Sequence, residues 1–247
     1  AGGGINVTGT VRTLTDGTDN VIMGEGAGSS IASGGNYNTL VGTSAGTSIS
    51  TGDNNTFVGN ASGDAVTTGT ESVAFGSNAL SAGIGSDKNT ALGAYALRND
   101  TEGESSVAVG HQALNTQNFT NATSVYNVAV GANAGTSITT GTQNTLIGGL
   151  AGDALIDADE NVAVGYGALG ADTYGSKSVA IGREALASQN FTSATSAFNV
   201  AVGQNAGESI TTGQYNTFIG GLAGDSDTTG QRSTAVGYSA LQNQNFT

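Results

Sequence analysis

The chain has 247 residues, 41 of them Gly and none Cys, with 19 acidic against 6 basic side chains and a formal net charge of −13. That balance excludes an electrostatic grip on nucleic acid or on an anionic membrane, and the missing Cys excludes a disulfide framework or a thiolate metal site. No apolar run approaches the roughly 18 residues that cross a bilayer, so no membrane insertion is expected.

Residues 1–19, opening Ala1-Gly-Gly-Gly-Ile5, lack the charged and apolar regions of a signal peptide and read as an N-terminal lead-in. From residue 20 to 247 one phrase recurs thirteen times: Asn or Ser, three strand-forming residues, Gly, two variable residues, a small residue, then Gly or Leu. Its shared glycines are Gly24, Gly42, Gly59, Gly76, Gly93, Gly110, Gly131, Gly148, Gly165, Gly182, Gly203, Gly220 and Gly237. The spacing is 17 residues except for one gap of 18 and two of 21, and from Gly59 onward the gaps 17, 17, 17, 21 form a higher unit of 72. A short period inside a long one marks a stacked array, and aliphatic residues in strict register with the glycines argue against disorder.

The fold class predicted is all-β, a parallel β-solenoid of about 13 coils. Triplets such as Val128-Ala-Val130, Thr145-Leu-Ile147 and Thr217-Phe-Ile219 favour short extended strands, and the Gly that follows frees the backbone for a corner. Seventeen residues hold about two strands of five residues and two corners, but not two helices and a turn.

Internal copies show which side chains share the core. Where the middle strand residue is large (Ile22, Leu40, Phe57, Leu146, Phe218), the residue four after the corner Gly is Gly (Gly28, Gly46, Gly63, Gly152, Gly224). Where that later residue is Leu (Leu80, Leu97, Leu114, Leu169, Leu186, Leu241), the middle residue is Ala, so volume is conserved across the coil. Coils with Ala and Gly at the two places carry Ile138 or Ile210 seven past the corner, where Leu-type coils have Asp100, Gln117, Asp172 or Gln189.

The other two strand positions point to the opposite face and are also apolar or Thr. A strand apolar on both faces is buried on both. One narrow solenoid covers only one, so a second copy of the chain is expected over the other. The predicted interchain face comprises Val73, Val107, Val109, Val128, Val130, Val162, Val164, Val179, Ile181, Val200 and Val202.

Three strings resemble the S-V-A-I-G-x-x-A repeats of YadA-like heads in trimeric autotransporter adhesins: Ser72-Val-Ala-Phe-Gly76-Ser-Asn-Ala-Leu80, Ser106-Val-Ala-Val-Gly110-His-Gln-Ala-Leu114 and Ser178-Val-Ala-Ile-Gly182-Arg-Glu-Ala-Leu186. Asn89-Thr-Ala-Leu-Gly93-Ala-Tyr-Ala-Leu97 is similar to repeats that also occur in phage tail-fibre proteins. The resemblance implies a left-handed parallel β-roll with three chains side by side, a homotrimer. Coils of 17 and 21 residues depart from the usual, shorter head repeat, and neither a membrane anchor nor a coiled-coil stalk is present in the sequence.

The two longer coils insert Gln117-Asn-Phe-Thr-Asn-Ala-Thr-Ser-Val-Tyr126 and Gln189-Asn-Phe-Thr-Ser-Ala-Thr-Ser-Ala-Phe198, and Gln244-Asn-Phe-Thr247 begins a third, so the array is expected to continue past a repeat cut at residue 247. Loops held at fixed spacing on a rod suit contact with a cell-surface glycan or protein receptor, with Phe119, Tyr126, Phe191 and Phe198 as candidate contacts. The competing and favoured expectation is that these aromatics fold back over the corner of a longer coil.

Chemistry finds weak purchase. Ile147-Gly-Gly-Leu-Ala-Gly152 fits one hexad of left-handed β-helix acyltransferases, with His111 as the base, but such proteins need about three hexads per coil. Asp153, Asp157, Asp159 and Glu160 are the best acidic cluster for a glycan-cleaving tailspike or for Ca²⁺, yet they lack EF-hand spacing and read as solvated turn residues. No catalytic, cofactor or metal-ligating residue is therefore expected. The expectation is a structural segment of a trimeric phage tail fibre on the virion surface, with a bacterial cell-surface adhesin as the alternative.

Overall fold

The computed structural model describes residues 16–244 and is all-β, with no helix among them. Seventeen short strands follow in chain order: β1 (Val21–Met23), β2 (Thr39–Val41), β3 (Thr56–Val58), β4 (Val73–Phe75), β5 (Thr90–Leu92), β6 (Gly103–Glu104), β7 (Val107–Val109), β8 (Thr123–Ser124) and β9 (Val128–Val130), then β10 (Thr145–Ile147), β11 (Val162–Val164), β12 (Gly175–Ser176), β13 (Val179–Ile181), β14 (Thr195–Ser196), β15 (Val200–Val202), β16 (Thr217–Ile219) and β17 (Thr234–Val236). Thirteen of them, one per coil, form a single parallel sheet in chain order, and β6–β8 and β12–β14 form two small pairs beside the longer coils. Equivalent positions lie opposite one another throughout, as where Val162, Ala163 and Val164 meet Val179, Ala180 and Ile181. Twelve steps of roughly 4.8 Å give a stack on the order of 58 Å long.

The expected second five-residue strand is absent from the ordinary coils. On that wall, carboxylate and amide side chains take the place of the next coil's carbonyl. The Asn36 N–H bonds Asp53 Oδ1, the Thr70 N–H bonds Asp87 Oδ1 and the Thr142 N–H bonds Asp159 Oδ1, each across one coil at 2.6–2.7 Å. Only where an insertion lengthens the wall do two-residue ladders form.

Every described corner Gly has φ between +124° and +144°. A Cβ there would lie 2.3–2.7 Å from backbone atoms of the next corner Gly in all but the last coil, so the column is glycine for close approach as well as for backbone freedom. The residue four later is left-handed in every coil, and five Leu-type coils place Leu80, Leu97, Leu114, Leu169 and Leu186 there at φ 48–55° while burying them completely. Left-handed backbone costs a Leu about 1–2 kcal/mol, and full burial returns about 2–3 kcal/mol, so burial decides.

The volume rule has a direct geometric cause. A Cβ on Gly63 would sit 2.4 Å from Phe57 Cδ2, one on Gly152 2.8 Å from Leu146 Cδ2, and one on Gly224 2.5 Å from Phe218 Cε1. In the two coils with both places small, neighbours fill the gap. Leu146 and Leu114 reach over Gly135, and Phe218 and Leu186 over Gly207.

A second column runs through the core: Asn20, Asn38, Asn55, Asn89, Asn127, Asn144, Asn161, Asn199 and Asn216, buried just before the strands, with Ser72, Ser106 and Ser178 in the remaining buried places. Asn144 illustrates its work. Its Nδ2 donates to the Ala158 carbonyl on the opposite wall at 2.7 Å, and its Oδ1 accepts the Asn161 N–H of the next coil at 3.0 Å. The ladder ties wall to wall and coil to coil without leaving buried donors unmet.

Candidate assembly face and loop sites

Alternation along each triplet splits the sheet into two chemically distinct faces. Middle residues such as Leu40, Phe57, Ala108, Leu146 and Phe218 are wholly buried. The flanking residues face outward, and the third position is apolar in every coil, from Met23 through Phe75, Leu92, Ile147 and Ile219 to Val236. Phe75 is 58 % exposed and Val236 67 %. Of the predicted interchain residues, Val73 and Ile181 are exposed, whereas Val107, Val109, Val128, Val130, Val162, Val164, Val179, Val200 and Val202 are half-buried by neighbours in the same sheet. All eleven lie on the outer face of this one sheet, in two parallel rows. A contiguous apolar strip along thirteen strands far exceeds scattered surface hydrophobics.

The insertions separate their aromatics. Phe119 and Phe191 are buried, while Tyr126 and Phe198 are exposed at φ 55° and 51°. The Phe119 N–H donates to Asp100 Oδ1 at 3.1 Å, and the Thr101 hydroxyl donates to the Phe119 carbonyl at 2.7 Å. The same bonds recur from Phe191 to Asp172 and from Thr173 to Phe191. Between anchor and exit, Thr120, Asn121 and Ala122, and Thr192, Ser193 and Ala194, stand exposed at the tips. Phe198 stacks on Tyr215 at 5.7 Å between centroids, with Lys177 Nζ 5.5 Å from the Phe198 ring and Arg232 Cζ 5.4 Å from the Tyr215 ring.

Beneath each loop is a buried polar cluster that pattern reading registers only as polar residues at a core offset. Asp100 Oδ1 accepts the N–H groups of Gly103 and Phe119, and its Oδ2 accepts Gln117 Nε2 at 2.5 Å. Gln117 Nε2 also reaches Ser106 Oγ, and its Oε1 accepts Asn127 Nδ2 at 2.9 Å. Gln117 thus carries the ladder where the insertion displaces the usual wall carbonyl. Asp172, Gln189, Ser178 and Asn199 repeat the arrangement 72 residues on. Burial pushes the Asp100 carboxyl up, against hydrogen bonds that pull it down. The signal for these clusters in the sequence was the recurrence of Asp-then-Gln at the buried offset of Leu-type coils.

The residues weighed for chemistry are dispersed. His111 is exposed and meets the Tyr95 ring edge-on at 6.0 Å. Asp157 Oδ1 accepts the Thr140 hydroxyl, and Asp159 Oδ1 accepts both the N–H and the hydroxyl of Thr142, so these two acids cap the outer wall. Among the described residues no group of three or more His, Cys, Asp or Glu is placed to hold a metal ion. The Thr-Thr-Gly triplets have a structural use: Thr67, Thr139 and Thr211 each donate a hydroxyl to the carbonyl of the coil above.

Comparison with protein-family models, curated proteins and solved structures finds no match to this chain. The likeness to YadA-like heads rests on the repeat strings themselves.

Proposed function

We propose that this chain is a rigid shaft or head segment of an extracellular fibre, built from three copies packed side by side through the outer face of the sheet. The observation that carries the reading is the apolar third-position row, which continues from Met23 to Val236 while the core on the other face is already complete. Burying that row against a second copy removes it from water, at about 25 cal/mol per Å². The work of such a segment is mechanical: it holds loops or a more distant tip away from the particle. Even, near-duplicated coils favour a phage tail fibre, and the Ser-Val-Ala-Phe-Gly and Ser-Val-Ala-Ile-Gly strings keep a bacterial adhesin head as the second reading.

Light scattering on the purified chain tests the proposal. The expected mass is that of three chains, and Val109→Asp or Val164→Asp should dissociate it, because each places a charge without a partner inside an apolar contact. A wild-type monomer, or a trimer unchanged by either substitution, would overturn the assignment of this face.

A further inference from the structure

The last four coils differ from the preceding four chiefly on their flanks, and the difference bears on how two copies meet. Positions 72 residues apart keep the interior: Ser106 and Ser178, Leu114 and Leu186, Gln117 and Gln189, Asn127 and Asn199. Two residues before the first outward position of each strand lies a left-handed residue at the entry edge of the ribbon. In the earlier unit that column reads Ser105, Tyr126, Gln143, Glu160, with one negative charge; in the later unit it reads Lys177, Phe198, Tyr215, Arg232, with two positive charges. Two of the six basic residues of an acidic chain therefore stand in one column.

The exit edge changes in the opposite sense. Gln112 and Thr136 of the earlier unit become Glu184 and Glu208 of the later one, and Asn205 Nδ2 donates to both carboxylates. Arg183 bonds Glu184 at 2.8 Å and holds its carboxyl below the usual range, so this acid is ionised at neutral pH. The charge of His111 or Arg183 does not offset the pair of acids. Complementarity is confined to these coils, since the first coil carries acid on both edges, Asp19 and Glu25.

Symmetry turns this into a statement about partners. Rotation about an axis parallel to the rod, whether two-fold or three-fold, brings the entry edge of one copy to the exit edge of the next; a two-fold across the rod brings each edge to itself. The first pairs Lys177 with Glu184, which flank the same strand β13 and so share a height. The second sets cations against cations. We infer that copies of this chain associate parallel and in register, with the Lys177 edge of one copy against the Glu184 edge of its neighbour. This rests on the proposal that the outer sheet face joins copies, and it adds the contact that selects direction and register.

The chain has no Cys, which permits a clean test. Lys177→Cys and Glu184→Cys chains are refolded together and treated with a short bis-maleimide. The expected product is a covalent dimer of one chain of each kind, absent when either variant is treated alone. Self-linked Lys177→Cys dimers, or an oligomer that yields no mixed product, would overturn the inference while leaving side-by-side assembly standing. A monomer in the untreated sample would remove the underlying reading instead. As a second measure, Lys177→Glu should weaken assembly about tenfold at low salt, from three weak ion pairs acting together, and Lys177→Glu/Glu184→Lys should recover most of it. Equal weakening by the single and double variants would also count against the pairing.

Discussion

At the level of single residues, burial overrides local preference. Leu97 accepts φ 48° because no other backbone course places its side chain beside Ala91 in the core. Tyr and Phe at the entry edge accept similar φ values with no such burial, as at Tyr126 and Phe198. The buried asparagines work through both ends of the amide, so truncation leaves an unmet carbonyl and an unmet N–H. Asn144→Ala is expected to cost about 2–4 kcal/mol, two unsatisfied groups at about 1–2 kcal/mol each. Asn144→Ser should cost less, because Ser72 fills the same place and reaches the Ser86 carbonyl at 3.3 Å. Denaturant unfolding of the two variants checks the order; equal losses would mean that the amide's reach across the coil contributes little.

At the level of the element, the long coil is a loop pinned at both ends rather than a free insertion. Phe119 and Phe191 are held by Asp100 and Asp172, while Val125 and Ala197 re-enter the core. Replacing Phe119 and Phe191 together by Ser is expected to lower the melting temperature through lost packing. Tyr126→Ser and Phe198→Ser should leave melting nearly unchanged, since both rings are exposed. If these exposed residues contact a receptor, the second pair abolishes attachment to host cells without touching stability. An unchanged melting temperature for the first pair would contradict their role as anchors. The favoured expectation of packed aromatics thus describes Phe119 and Phe191, and the exposed pair keeps the receptor question open to this experiment.

At the level of the whole molecule, acid favours this fold. Asp64, Asp100 and Asp153 all have carboxyls raised above 3.8, with burial the leading cause. A raised folded-state value means that the folded chain holds the proton more tightly, so this contribution is complete below the unfolded value and is lost as pH rises through the folded one. Glu184 is lowered and has the opposite sign, but it is exposed and carries little weight. Neutralising part of a net charge of −13 also relieves self-repulsion. Melting followed by circular dichroism should therefore hold or rise between pH 7 and pH 4. A steady fall across that interval would show that carboxylates in hydrogen bonds, rather than desolvated ones, dominate the titration.

Periodicity by itself determined the number of coils, the corner glycines and the inward-facing strand residue, because each coil repeats one environment and only a few residue types satisfy it. The exchange of volume between Phe57 and Gly63 was legible for the same reason: both occupy one small space, and their sizes must sum to it. Three matters were decided only in three dimensions. The second wall became turns rather than a strand, because Asp53, Asp87 and Asp159 bond backbone N–H groups of the coil before. Asp100 and Gln117 became a ladder-bridging pair, because partners 17 residues apart in sequence stand one above the other only once the coil length is realised. The separation of Phe119 from Tyr126 likewise depends on the loop's path, which four extra residues leave unspecified until Asp100 and the Asn127 ladder pin its two ends.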